Sequence, residues 1–222
     1  MNVELSPDSI TLVDLGIVRL NATVVYSWVV LAVLVVGSAL ITRRLTVGPQ
    51  VSRWQSALEA LVSILRSQIA DMTQQNPDRY LPFIGTLFLF IAVSNLLAII
   101  PGFSSPVSSV STTAALAFCV FIAVPVYGVM ARGLKDYLRA YIQPTFIMLP
   151  LNILSELSRT LALAIRLFGN ALSGDILVAI LIVIVPLFVP IVMQLFGLVI
   201  GLIQAYIFAI LATVFIASAT RD

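Results

Sequence analysis

Five apolar stretches, roughly 23–42, 81–100, 112–131, 151–184 and 191–219, are each long enough to cross a bilayer as a helix, which takes about 20 residues. Inside lipid a single span satisfies its backbone hydrogen bonds only as a helix. The expected fold is therefore an all-α integral membrane protein, a single membrane domain over 1–222. Composition agrees: 60% of residues are hydrophobic and 10% charged, against about 25% charged in soluble domains. The first 22 residues carry Glu4, Asp8 and Asp14 against Arg19. They have no basic leader and no small-residue cleavage site, so they read as an external segment rather than a signal peptide. Cys119 stands alone, which excludes a disulfide within the chain. Histidine is absent, which removes the best proton relay near neutral pH and a common metal ligand. No metal or other cofactor is expected, and nothing in the pattern points to nucleic acid.

Basic residues orient the chain. Arg43, Arg44, Arg53, Arg66, Arg79, Arg132, Lys135, Arg139 and Arg221 fall on one side if the N-terminus lies outside, and only Arg19 falls on the other. Five crossings with an external N-terminus and a cytoplasmic C-terminus follow. Between the first two spans, 51–72 is too polar to cross, yet Val51, Trp54, Leu58, Leu61, Leu65 and Ile69 recur at helical spacing. That pattern predicts an amphipathic helix, either on the cytoplasmic membrane surface or packed on another subunit. The external loop 101–111 is uncharged and rich in Ser and Pro, the composition of a short ordered cap.

The last two stretches are too long. As unbroken helices they would measure about 50 and 43 Å at 1.5 Å per residue, against a hydrocarbon core of about 30 Å. A strongly tilted hairpin turning at Pro186 and Pro190 accommodates them. The fourth carries Arg166, a cation that cannot shed its proton and that costs roughly 2.5 to 3.5 kcal/mol at mid-bilayer. Asp175 lies about 180° around the helix from it, and Glu156 roughly 15 Å back along the axis. With about ten mostly apolar residues on either side, Arg166 is also too deep to snorkel from a helix end. A carboxylate from another chain is the expected partner.

Ser155, Arg159, Ala162, Arg166, Asn170 and Ser173 form a small, polar stripe on this span, whereas Leu157, Leu161, Phe168 and Leu172 lie away from it. Such a stripe admits a neighbouring helix at close range, from another chain or from within this one. On the last span Gly197, Gly201, Ala205, Ala209, Thr213 and Ala217 make a ridge of small residues suited to helix association. Gln204 beside it is level with Arg166 if the two helices are antiparallel. Glu156 and Arg159 lie toward the cytoplasm and Asp175 toward the outside, the arrangement expected of two offset aqueous cavities. Glu156 and Arg159, three apart, also suit a local ion pair.

The segment SRTLALAIRLFGNALSGD (158–175) resembles the arginine helix of subunit a of F-type ATP synthases, and so do FLFIAVSNLLAIIPGF (88–103), PLNILSELSRT (150–160) and IQAYIFAILATVFIASA (203–219). The resemblance implies a non-catalytic stator subunit that makes and breaks no bond. Its tilted helices would lie along a ring of c subunits, each bearing a carboxylate, with peripheral-stalk b subunits and other synthase subunits alongside in a bacterial inner membrane. It implies Arg166 as the essential arginine, Asn170 and Gln204 as its polar neighbours, and Asp175 as the acid of the external half-channel, with Ser173, Glu156 and Arg159 completing the ion path. Many bacterial members place a histidine where this chain has Gly197. The path then uses waters and other groups, or the ion is Na⁺. A self-contained channel or transporter with Arg166 binding an anion, and a non-transporting scaffold, are the alternatives.

Overall fold

The computed structural model describes residues 11–14, 19–43, 53–100, 102–142, 148–185 and 188–220. Among these, seven α-helices make up nearly all of the structure. They are α1 (Ala22–Thr42), α2 (Arg53–Thr73), α3 (Leu81–Leu97), α4 (Val110–Arg132), α5 (Leu134–Ile142), α6 (Met148–Ile184) and α7 (Val189–Thr220). One feature departs from the expected all-helical chain. Strands β1 (Thr11–Asp14) and β2 (Arg19–Asn21) pair antiparallel, Val13 opposite Leu20 and Asp14 opposite Arg19. Both strands are too short to register as periodicity.

Four helices, α1, α4, α6 and α7, combine the length and apolarity needed to cross a membrane. The expected span 81–100 is a 17-residue helix that ends at Leu97 and gives way to turns. Pro101 follows in sequence, and the residues before a proline avoid the helical region. At 37 and 32 residues, α6 and α7 run unbroken for about 55 and 48 Å. Pro150 sits in the first turn of α6 and Pro190 in that of α7, where the missing N–H costs nothing.

The core is built by α3, α4, α6 and α7 around α7. The ridge on α7 is buried where it passes through this core: Ala205, Ala209, Thr213 and Ala217 all lose contact with solvent, with Phe208 and Ile216 beside them. Its outer end is stitched to α3 by two amides. Asn95 Nδ2 donates to the Gly201 carbonyl at 3.1 Å, and Gln194 Nε2 donates to the Ala98 carbonyl at 3.0 Å. The second bond satisfies one of the carbonyls that the end of α3 leaves without an intrahelical partner.

The apolar stripe of α2 faces inward, with Leu65 and Ile69 buried and Leu58 and Leu61 half-buried, while Glu59, Arg66 and Asp71 are exposed. It packs on α7 and α3 of its own chain. Val51 lies outside the described residues, and so does the side chain of Trp54. At the other end of the molecule Tyr26 of α1 donates to the Gly102 carbonyl at 3.1 Å and meets the Phe103 ring in a tilted contact with centroids 4.8 Å apart, tying α1 to the α3–α4 connection. That connection is ordered: Ser105 to Ser109 are all buried, with a 3-10 turn at Pro106–Ser108.

Candidate functional site: a polar stripe on an exposed helix

α6 is a long helix that hides little of itself. Leu163 and Leu167 are its buried residues. All six members of the polar stripe, Ser155, Arg159, Ala162, Arg166, Asn170 and Ser173, are exposed. The stripe thus stays largely open despite the contacts that α6 makes with the rest of the chain. Among the described residues no acid forms an ion pair with Arg166; the pair that is seen joins Arg66 to Asp78, far from the stripe.

Two contacts set the register of α6 on α7. Asn170 Nδ2 donates to Gln204 Oε1 at 2.9 Å, and the Arg159 guanidinium stands over the Phe215 ring at 5.9 Å. Asn170 lies eleven residues beyond Arg159, and Gln204 eleven before Phe215, so the helices run antiparallel without slip. Gln204 is 3% exposed. Its amide holds Asn170 one turn from Arg166, where the Asn170 oxygen is left to accept from a guanidinium.

Arg159 stands over Phe215, with Glu156 three residues before it on α6. Both residues line a cavity of about 300 Å³ with Arg132, Tyr137, Asn152 and Ser218. Charged and hydroxyl groups around a space of that size hold several waters, each needing about 30 Å³. Ten residues further along α6 comes Arg166, and nine beyond that Asp175, axial separations of about 15 and 13 Å. Asp175 is exposed, and the 3-10 turn Pro106–Ser108 packs against the same helix. Polar groups thus lie on either side of a central cation, at opposite ends of one continuous helix.

The ATP synthase A chain family model matches residues 24–217. The chain belongs to that family. It is 60% identical to ATP synthase subunit a 1 of Crocosphaera subtropica, over 97% of this chain and 94% of that protein. Identity is 54% to ATP synthase subunit a of Albidiferax ferrireducens (99% and 95% covered) and 55% to ATP synthase subunit a 1 of Chlorobaculum parvum (99% and 97% covered).

Every residue of the stripe, the cavity wall up to Phe215 and the Ser108 turn fall inside the segment matched to the ATP synthase A chain family. At Gly197 an added Cβ would meet nothing within 4 Å, so the position has room for a side chain that this family member lacks. Sequence reasoning missed four groups. Ser108 lay in a loop that composition marks only as a turn. Asn95 was a lone amide in an apolar run, a signal that was present and unused. Tyr137 and Arg132 reach the cavity only because α5 folds back onto α4. There the Tyr137 ring fills the place of a side chain at Gly128, 2.5 Å from where a Cβ would stand.

Proposed function

We propose that this chain is the stator ion-channel subunit of a rotary F-type ATP synthase, with two offset half-channels that load and unload protons on the carboxylates of a c-ring. The observation that carries this reading is the exposed, acid-free guanidinium of Arg166 midway along α6, with the Asn170–Gln204 pair one turn away. A permanent cation on an apolar helix is tolerated where a mobile carboxylate visits it.

In this reading the chain crosses the membrane five times, α3 being the short span, with the N-terminus outside and the C-terminus cytoplasmic. α6 and α7 tilt to fit the bilayer along the ring, α2 and α5 lie on the cytoplasmic side, and b subunits cover other faces. A proton enters past Asp175 and Ser173 and neutralises a ring carboxylate, which then turns through lipid at a far smaller desolvation cost. After almost a full turn the carboxylate reaches the cavity beside Glu156 and Arg159 and releases its proton. Arg166 favours the ionised carboxylate and blocks direct leakage between the cavities. The driving energy is transmembrane, about 2.3 kcal/mol per charge per 100 mV.

Arg166→Ala in the assembled complex, reconstituted in vesicles, is expected to abolish ATP-driven pumping while leaving assembly intact. Coupled pumping at the normal rate by that variant ends the proposal. Pumping that persists in Na⁺-free buffer assigns the proton as the ion; dependence on added Na⁺ assigns sodium to the same path.

A further inference from the structure

We propose that α5 is a binding site for an anionic phospholipid of the leaflet in which α4 ends, the cytoplasmic one in the topology above. The surface is separate from the ion path. Connectivity fixes its depth. Gly133 alone stands between α5 and α4, a helix long and apolar enough to cross a membrane. The Tyr137 ring fills the hollow at Gly128, which lies five residues before Gly133 and so about 7.5 Å back along the span. α5 is thereby held against the end of the span, at the level of the headgroups, and does not stand off into water.

The faces of α5 sort by chemistry. Tyr137 is buried, whereas Leu134, Lys135, Asp136, Leu138 and Arg139 are exposed. Leu134 and Leu138 lie about 40° apart around the helix, and they are 60% and 50% exposed. At the same spacing of four they prolong the exposed row of Phe118, Ile122, Val126 and Met130 on α4, a surface suited to acyl chains. Lys135 and Arg139 stand together about 100° round from the leucines, and Asp136 about 180° round. The bases therefore border the apolar edge and the acid faces away from it. Among the described residues neither base forms an ion pair. An apolar edge bordered by bases is the pattern of a helix lying in the interface, with long basic side chains that reach the phosphates while their stems stay on apolar surface. A zwitterionic headgroup suits the leucines but brings no net charge to the bases. An anionic one satisfies both, each base adding roughly fivefold to binding.

The test is backbone hydrogen exchange over 134–142 in the assembled complex, reconstituted in vesicles of phosphatidylcholine with and without phosphatidylglycerol. ATP hydrolysis serves as the assembly control. Phosphatidylglycerol is expected to slow exchange in this segment at least about fivefold and to leave that of α4 unchanged. Lys135→Gln combined with Arg139→Gln removes the difference between the two membranes, and the native mass spectrum of the variant shows fewer retained phosphatidylglycerol molecules than that of the native complex. Each single substitution removes part of the difference, which keeps the test open if the double variant assembles poorly. Equal exchange in the two membranes overturns the proposal, and protection that is high in both assigns this face to a neighbouring subunit instead. A difference that survives the double substitution overturns it as well.

Discussion

Arg166 presents a planar fork of five donors, always charged, and a lysine in its place would not reproduce it. An ammonium is a compact point charge that loses its proton when desolvated. Arg166→Lys is therefore expected to lower coupled pumping by at least about tenfold with assembly retained, a difference of roughly 1.4 kcal/mol in the barrier. One turn along α7 from Gln204, Gly201 lacks a side chain because Asn95 occupies the space: a Cβ there would lie 2.7 Å from the Asn95 side chain. Gly201→Ala breaks the bond that ties α3 to α7 and should destabilise the chain by about 1–2 kcal/mol, measurable as a lower melting temperature in detergent. Arg166, Asn170 and Gln204 were legible in the sequence because a charge or an amide inside an apolar run is an anomaly with few explanations. Ser108 was not. A serine in a Ser/Pro loop reads the same whether it is exposed or buried, and only the packing of the 3-10 turn on α6 separates the two.

Long helices announce themselves by length, and α1, α4, α6 and α7 fall within three residues of the apolar stretches that foretell them. Short ones do not. α5 has nine residues, and with Lys135, Asp136 and Arg139 among them it looks like a polar connection. Its reason for being a helix is tertiary: Gly133 at φ +85 ends α4 and turns the chain back, and Tyr137 then lands in the hollow at Gly128. Gly128→Val removes that hollow. The expected result is faster backbone hydrogen exchange over 134–142 than in the native protein, with α4 itself little changed. The tilt proposed for α6 and α7 belongs to the same class, since length calls for it but packing against neighbours sets its angle.

Seen whole, the chain shields α7 and displays α6. Among the described residues some thirty-five large apolar side chains of α1, α4, α6 and α7 are exposed, and the polar stripe on α6 is an outward surface that lipid alone does not suit. The purified chain in sealed vesicles should pass no protons by itself if, as proposed, the carboxylate that completes the path is on another body. Steady flux from it, measured with an internal pH dye, would favour a self-contained channel. The antiparallel setting of α6 on α7 bears on how such a machine moves. Asn170 on Gln204 and Arg159 on Phe215 are locked in step, and a shift by one turn would tear both apart at once. In the proposed cycle α6 is thus a rail and not a piston, and the sliding falls to whatever travels past it.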